Sequence, residues 1–223
     1  MAKTAASGPV PGPKGSIQAI LFDMDGVLID ARDWHYEALN RALGLFGMEI
    51  GPDEHRAVYD GLPTRRKLEM LSGARGLPVK LHEFLNRLKQ SYTTEMIYAR
   101  CRPVFQHQYA LSRLKQDGYR MAVCSNSIRE TVRLMMERAA LAEHLEFFLS
   151  NEDVTKAKPD PEIYTSAIKR LGLPASACLI VEDNDHGIKA AKASGAHVMV
   201  VGSPSDVTLP RLQAAIAEAE AAK

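Results

Sequence analysis

Two aspartates at the end of an apolar run are the first residues in the chain whose spacing could do chemistry. Asp23 and Asp25 follow the apolar stretch 17–22, and Gly26 comes directly after them. A run of this length predicts a buried strand, and ligands of open α/β sheets bind beyond the carboxyl ends of strands. The same pattern is typical of a helix cap or a tight turn, because aspartate favours both. The pair therefore indicates an active site only if the rest of the chain supplies partners.

Three later apolar runs also end abruptly on polar residues. Together the four ends carry Asp23, Asp25, Ser125, Asn126, Lys158, Glu182 and Asp183. Carboxylates crowded at one sheet edge repel one another unless a hard cation lies among them, and Mg²⁺ prefers carboxylate, water and phosphate oxygens. Lys158 offers a point charge to a phosphate, and Ser125 offers a hydroxyl just before a predicted helix N-terminus. The residues thus predict a magnesium and phosphate site.

The elements that would position these residues alternate between strand and helix. Strands are predicted at 120–124, 147–149, 178–181 and 197–201, with helices between them and a last helix from Pro210. This alternation predicts a parallel sheet with right-handed crossovers and helices on both faces. The first strand completes the sheet, which gives an α/β, Rossmann-like core built from residues 17–30 and 101–223.

Residues 31–100 have a different pattern, in which apolar residues recur every three or four positions. Glycine and proline near residues 51, 61 and 76 divide the stretch into short helices, with no strand pattern among them. We expect an all-helical cap inserted after the first strand. Residues 1–16, rich in proline and glycine, are expected to form a flexible tail.

Composition narrows the class of protein. The 223 residues suffice for one core with an inserted unit. Lys+Arg number 28 and Asp+Glu 27, so the charge gives no case for a nucleic-acid partner. No apolar run approaches the roughly 20 residues that span a bilayer, and no secretory signal is evident. We expect a cytoplasmic protein without a membrane partner. A monomer is favoured, although no pattern decides the oligomeric state.

Cys101, Cys124 and Cys178 lack metal-like spacing and are expected to be buried free thiols.

The order of the motifs closely resembles that of the haloacid dehalogenase superfamily. The residues that carry the resemblance are Asp23-Met24-Asp25-Gly26-Val27-Leu28, Ser125, Lys158-Pro159-Asp160-Pro161-Glu162-Ile163-Tyr164, Glu182-Asp183-Asn184, Gly187-Ile188 and Ala190-Ala191. The match covers nearly all of the chain beyond the tail. It is most similar to the branch with a helical cap after the first motif, which contains β-phosphoglucomutase and many small sugar-phosphate phosphatases.

The resemblance implies a role for each residue of the site. Asp23 would be the nucleophile that forms an aspartyl-phosphate. Asp25 would protonate the leaving alcohol and then activate water, and its backbone carbonyl would bind the metal. Glu182 and Asp183 would complete the Mg²⁺ site with Asp23. Ser125, Asn126 and Lys158 would bind the phosphoryl group.

Two cap residues are also expected to bind substrate by resemblance. His35 lies at the start of the first cap helix, where the mutase relatives carry a histidine. Arg65 belongs to the cationic stretch 61–67, near where family members bind substrate through the cap. A histidine at a helix edge and a cation cluster also fit structural or solvated roles. Ala31 departs from the serine or threonine that relatives often carry after the aspartate equivalent to Asp30, which argues against the mutase pattern.

The sequence therefore predicts a Mg²⁺-dependent phosphatase acting on a small phosphorylated metabolite, with a sugar phosphate expected. Asp25 speaks against a dehalogenase, because a halide leaving group needs no proton. A phosphosugar mutase would use the same residues. A phosphoacceptor signalling module is the alternative from another class, disfavoured because the middle strand ends at Ser150 rather than at an aspartate. A cofactor-binding Rossmann module fails because no G-x-G-x-x-G follows the first strand.

Overall fold

The computed structural model describes residues 12–222. Most of the predicted tail, residues 1–11, lies outside the described residues. Within them the chain forms one five-stranded sheet and a contiguous helical segment that follows the first strand.

All five strands are parallel, and the first lies in the middle of the sheet. They are β1 (Ala19–Phe22), β2 (Arg120–Cys124), β3 (Phe147–Leu149), β4 (Cys178–Glu182) and β5 (His197–Val200), in the order β3-β2-β1-β4-β5. Phe22 at the end of β1 pairs with Val123 of β2 and Val181 of β4. This register brings the carboxyl ends of the three central strands to one level, so the polar residues that follow them meet.

Nine α-helices are found in residues 12–222. They are α1 (Arg32–Gly44), α2 (Pro52–Glu54), α3 (Thr64–Arg75), α4 (His82–Arg100), α5 (Phe105–Gln116), α6 (Arg129–Arg138), α7 (Glu162–Leu171), α8 (Asp185–Ala193) and α9 (Leu209–Ala221). A π-helical turn, His55–Tyr59, continues α2.

Helices cover both faces of the sheet. Ile20 and Phe22 of β1 face a core cluster to which α5, α6 and α9 contribute, whereas Ala19 and Leu21 face a second cluster with α7 and α8. All four residues of β1 are buried, as expected for a central strand of a parallel sheet. The predicted α/β fold class is confirmed.

Helices α1 to α4 have a core of their own. Leu39 and Leu43 of α1 pack with Leu68 and Leu71 of α3 and with Leu85 of α4. No strand lies between Arg32 and Arg100, which are all described residues, in agreement with the predicted helical cap. The limits of the cap, 31 and 100, stay a prediction; residue 31 precedes α1, and residue 100 is the last of α4.

The three cysteines are buried and free, as predicted. Burial raises the pKa of the Cys124 thiol to about 12 and that of Cys178 to about 11, so both stay protonated at neutral pH. No helix within the described part of the chain has the length and apolar character needed to cross a bilayer.

Candidate active site

The chain turns sharply after β1 and places Asp23 inside the fold. The Asp23 amide donates to the Val181 carbonyl at 3.0 Å, which extends the strand pairing by one residue. Gly26 then adopts a φ of +90°, and a Cβ there would collide with the side chains of Asp183 and Arg32. Glycine is thus required by both conformation and space at the turn that separates Asp23 from the cap.

Lys158 is the buried hub of the site. Its Nζ donates to Asp23 Oδ1 at 2.6 Å, to Glu182 Oε1 at 2.7 Å and to the Cys124 carbonyl at 2.8 Å. The Tyr164 hydroxyl lies 2.9 Å from Nζ and donates to Glu182 Oε1 at 2.5 Å. With a side-chain exposure of 2%, Lys158 is held between two carboxylates rather than in solvent. Three strand ends and α7 are thereby tied together by one ammonium group.

Burial and neighbouring charge shift the pKa values at this hub. Burial raises the pKa of Asp23 well above its ordinary value, and Glu182 adds to the rise while Lys158 opposes it. Burial alone would lower the pKa of Lys158, but the charges of Asp23 and Glu182 outweigh it and raise that pKa. The site therefore carries an excess of negative charge that one lysine does not fully balance.

Three carboxylates at the ends of β1 and β4 form a group that could hold a metal ion. One oxygen from each of Asp23, Glu182 and Asp183 lies within 4.8 Å of the others. A Cβ at position 187 would overlap the Glu182 carboxyl group, so Gly187 makes room for it. Burial raises the pKa of Asp183, although Arg32, which forms an ion pair with it, opposes the shift. An all-oxygen, negatively charged and buried donor set fits a hard divalent cation such as Mg²⁺.

The side chain of Asp25 points to a different set of partners. Ser127 Oγ donates to Asp25 Oδ2 at 3.0 Å, and His35 Nε2 lies 3.1 Å from Oδ1. Burial would raise the pKa of Asp25, but His35 and Ser127 outweigh it and lower the pKa. The Asp25 side chain is outside the three-carboxylate group, and contact of its backbone carbonyl with the metal stays a prediction.

His35 links Asp25 to a second buried lysine. Lys89 Nζ lies 3.0 Å from His35 Nδ1. Burial lowers the pKa of Lys89 to about 7. In its charged form the lysine only donates, so Nδ1 then accepts and the ring proton lies on Nε2, facing Asp25. Burial lowers the pKa of His35, and the charge of Lys89 adds to that effect. Asp25 is thus contacted by the cap through a neutral imidazole.

Ser125 and Asn126 follow β2 and are held by short local contacts. Ser125 Oγ accepts from the Ser127 amide at 3.0 Å. Asn126 Oδ1 accepts from the Lys158 amide at 3.1 Å, and its Nδ2 donates to the Gly61 carbonyl at 3.0 Å. One amide side chain therefore connects the Lys158 loop with the cap.

Arg65 lies at the rim of the cleft, where its side chain is 89% exposed and pairs with Glu69 at 3.3 Å. The third cation of the same stretch, Lys67, turns inward and is buried. The structure thus brings together six residues predicted at the strand ends, with Asn126 and His35 beside them, and leaves Arg65 at the edge.

Several residues of the site were not predicted to belong to it. They are Arg32, His55, Lys89, Ser127 and Tyr164, whereas Lys67 was considered only as a member of the cationic stretch 61–67. Lys89 carries a signal in the sequence, because it lies four residues after Leu85 and four before Thr93, on the buried face of α4. Lys67 has a similar signal, four residues before the buried Leu71 of α3.

Most of these residues line one cleft between the sheet edge and the cap, whereas Glu182, His55 and Tyr164 are buried and do not reach its surface. Its volume is about 140 Å³, and its walls include Asp23, Asp25, Lys158, Lys67 and Lys89. This is space for a small ligand rather than for a polymer. A parallel sheet, a cleft at its carboxyl edge and a carboxylate cluster with a buried lysine define the class of site that the motifs resemble.

Comparison with known proteins identifies the family. The model of the haloacid dehalogenase-like hydrolases matches residues 20–201. The chain belongs to this family, and the resemblance seen in the sequence is confirmed.

Relatives of known name support the same class of enzyme. The chain is 28% identical over 182 residues to a phosphorylated carbohydrates phosphatase of Thermotoga maritima, covering 80% of this chain and 82% of the relative. It is 29% identical over 184 residues to a phosphoglycolate phosphatase of Mesorhizobium japonicum, covering 82% and 81%. The prediction of a hydrolase of the phosphatase type is confirmed at the level of the family.

Solved structures share the fold. A β-phosphoglucomutase from Clostridium difficile superposes with a TM-score of 0.79 at 19% identity, covering 91% of this chain and 98% of the other. CbbY from Rhodobacter sphaeroides in complex with phosphate gives 0.75 at 22% identity, covering 82% and 85%. At such identities the likeness concerns the fold alone.

Proposed function

We propose that the protein is a Mg²⁺-dependent phosphatase that hydrolyses a small phosphorylated metabolite through an aspartyl-phosphate on Asp23. The observation that carries the proposal is the contact of Lys158 with both Asp23 and Glu182 at the floor of the cleft. This arrangement presents a carboxylate to the substrate beside a fixed positive charge. Charge that spreads over the phosphoryl oxygens during transfer is stabilised by such preorganised groups.

In the proposed mechanism Asp23 attacks phosphorus and the bond to the leaving alcohol breaks. Lys158 holds the Asp23 carboxylate in place through the 2.6 Å contact and offsets the negative charge around it. Ser125 lies on the same wall of the cleft and offers its hydroxyl to a phosphoryl oxygen. Water then attacks the aspartyl-phosphate, releases phosphate and restores the Asp23 carboxylate.

Asp25 is the acid and base of this scheme. Its lowered pKa leaves Asp25 ionised before substrate binds, so it takes up a proton when the negatively charged phosphate enters the cleft. It gives that proton to the leaving alkoxide in the first step and takes one from water in the second. Its two oxygens are placed by Ser127 and His35, so the carboxyl group is oriented rather than free to rotate. Because His35 belongs to α1, the position of the cap affects how Asp25 is oriented.

The metal site is assigned to Asp23, Asp183 and Glu182, together with the backbone of Asp25. Burial first, and then the neighbouring carboxylates, raise the pKa of Asp23 and Asp183, and a cation there would lower the cost of keeping these groups ionised. When bound, Mg²⁺ would neutralise part of the phosphoryl charge. Arg32 contacts Asp183 from the cap side and would have to share that carboxylate with the ion.

A sugar phosphate is the substrate class that we expect. The cleft volume of about 140 Å³ suits a small metabolite, and the Thermotoga maritima relative is named for phosphorylated carbohydrates. The cytoplasmic location and the monomeric state predicted from the sequence stay predictions.

A screen of phosphorylated metabolites with Mg²⁺, read by phosphate release, tests the proposal. We expect turnover that a chelator abolishes and that added Mg²⁺ restores. Turnover that survives exhaustive chelation would overturn the metal assignment. Stoichiometric labelling of the chain without turnover would instead support the phosphoacceptor module.

A phosphosugar mutase is the second candidate, favoured by one contact. The cap residue His35 touches Asp25, so a closed cap could keep water from the aspartyl-phosphate while a sugar is handed back. Isomerised sugar phosphate without phosphate release would identify a mutase. Phosphate release from the same sugar phosphates would identify the phosphatase.

A further inference from the structure

Lys67 is a buried cation in the wall of the cleft that the reaction scheme does not use. Lys67 is 6% exposed to solvent, and its Nζ lies 3.2 Å from His55 Nε2. Among residues 12–222, no carboxylate comes within ion-pair distance of this ammonium, and no other side chain accepts a hydrogen bond from it. An ammonium has three protons, so two remain for a ligand in the cleft.

The partner of Lys67 is itself built into the fold. His55 begins the π-helical turn His55–Tyr59, a rare conformation that is frequent at functional sites. The rings of Tyr36 and Tyr59 flank His55 at centroid distances of 5.0 and 6.4 Å. His55 therefore has little freedom to turn away, and it fixes the direction of the lysine.

The pair contains no negative charge. Burial lowers the pKa of His55 to about 4, and the charge of Lys67 adds to the shift, so the imidazole is neutral at pH 7. Burial lowers the pKa of Lys67 to about 8, which still leaves most of the ammonium charged at neutral pH. A buried charge without a counterion is costly, and an anionic ligand would remove that cost.

Other charged groups face the same space from the neighbouring elements. Asp60 follows the π-helical turn, Lys89 comes from α4, and Asp25 from the sheet edge. Lys89 already contacts His35, and Asp25 is placed by His35 and Ser127. Lys67 and Lys89 each contact a histidine, and neither forms an ion pair with a carboxylate of residues 12–222. They differ because His35, the partner of Lys89, contacts the reacting Asp25, whereas His55 contacts no residue of the reaction scheme.

We propose that Lys67, held by His55, binds an anionic group at the far end of the substrate, on the part that leaves with the alcohol. This inference rests on the proposed phosphatase function and narrows it. The preferred substrate carries two acidic groups: the phosphate that is transferred at Asp23, and a carboxylate or second phosphate that contacts Lys67. A carboxylate and a phosphate would bind in the same way, because each offers a charged oxygen that accepts a hydrogen bond from the Lys67 ammonium.

Two matched pairs of substrates test the proposal. Phosphoglycerate and glycerol phosphate differ by a carboxylate, whereas a fructose bisphosphate and the corresponding monophosphate differ by a second phosphate. For at least one pair, we expect the acidic member to have a kcat/KM about tenfold or more above that of its partner, since a charged hydrogen bond of this kind is worth about that factor. The pair that shows the preference identifies the oxyanion.

Lys67→Met should reduce this preference to about twofold or less, mainly through a higher KM of the acidic member. Lys67→Arg retains the charge and should restore part of it. Lys80→Met makes the same change at an exposed cap position outside the cleft and should leave the preference as in the wild type. Thermal unfolding of each variant confirms that it is folded.

An equal loss of kcat/KM for both members of each pair in Lys67→Met would overturn the proposal, as would a wild-type enzyme without preference for either acidic member. These results differ from failure of the phosphatase function itself, in which the wild type would release phosphate from none of the substrates, p-nitrophenyl phosphate included.

Discussion

Lys158 and Lys67 are both buried lysines that face one cleft, but their surroundings differ. Lys158 lies between Asp23 and Glu182, whose charges raise its pKa. Lys67 lies beside a neutral histidine, and burial lowers its pKa to about 8. The sheet edge is therefore a region of paired charges, with acids in excess. The cap wall, by which we mean the side of the cleft that carries Lys67 and Lys89, holds in Lys67 a cation without a counterion. The first arrangement suits chemistry on phosphorus, and the second suits selection of what is attached to it.

The largest effect is expected from Asp23→Asn. The amide cannot act as the nucleophile, so kcat with p-nitrophenyl phosphate should fall by about 10⁴-fold or more, as for nucleophile removal in other enzymes. Asp117→Asn makes the same change at an exposed position and should have no effect. If the variant kept more than about a tenth of the wild-type rate, Asp23 could not be the nucleophile.

Asp25→Asn should lower kcat/KM, which reports the steps up to formation of the aspartyl-phosphate, by an amount that depends on the leaving group. We expect a loss of about 10²- to 10⁴-fold for an alkyl phosphate, because its alkoxide must be protonated. The loss should be smaller for p-nitrophenyl phosphate, whose phenolate leaves without a proton. Equal losses on both substrates would show that Asp25 does not act as the acid.

Lys67→Met should stabilise the fold. In the folded protein the pKa of Lys67 is about 8, below the ordinary 10.5, so folding is penalised wherever the unfolded chain holds the charge. That penalty is complete below pH 8 and is relieved as the pH rises from 8 to 10.5. Removing the charge at pH 7 should raise the free energy of unfolding by about 1–3 kcal/mol.

Urea unfolding of the wild type, Lys67→Met and Lys80→Met at several pH values measures this effect. The wild type should gain stability relative to Lys67→Met between pH 8 and 10.5, while Lys80→Met follows the wild type. A Lys67→Met protein less stable than the wild type at pH 7 would mean that Lys67 is already balanced by a group of the chain. The contrast with Lys158 would then disappear.

The smallest effect is expected at the contact between the two regions. Asn126→Ala removes the donor to Gly61 and the acceptor for the Lys158 amide, and should raise KM by about three- to tenfold. Asn126→Asp retains the acceptor but replaces the donor with a negative charge in a cleft that binds phosphate, so its KM should rise by at least as much as that of Asn126→Ala. If both variants bind substrate as the wild type does, Asn126 does not couple the cap to the sheet edge.

The two regions also differ in how well the sequence predicts them. Strand ends are local features, because an apolar run and the polar residue after it lie side by side in the chain. Parallel pairing then brings Asp23, Ser125 and Asp183 to one level without further information. The fold class and the residues at the sheet edge could be predicted for this reason.

The cap wall depends on how helices pack, and the sequence gives that less directly. Arg65, Arg66 and Lys67 are consecutive cations, and each successive residue of a helix points about 100° further around the axis. The packing of α3 turns Lys67 inward and leaves Arg65 and Arg66 exposed. The pairing of Lys67 with His55 also needs the π-helical turn, which no sequence pattern indicated.

The central claim is that the phosphoryl group is carried by Asp23 before it reaches water. Hydrolysis of a phosphorothioate monoester made chiral at phosphorus with two oxygen isotopes, in water of the third isotope, tests this claim most directly. Two successive in-line displacements, first by Asp23 and then by water, predict overall retention of configuration in the released thiophosphate. Inversion would show a single displacement by water and would contradict the account.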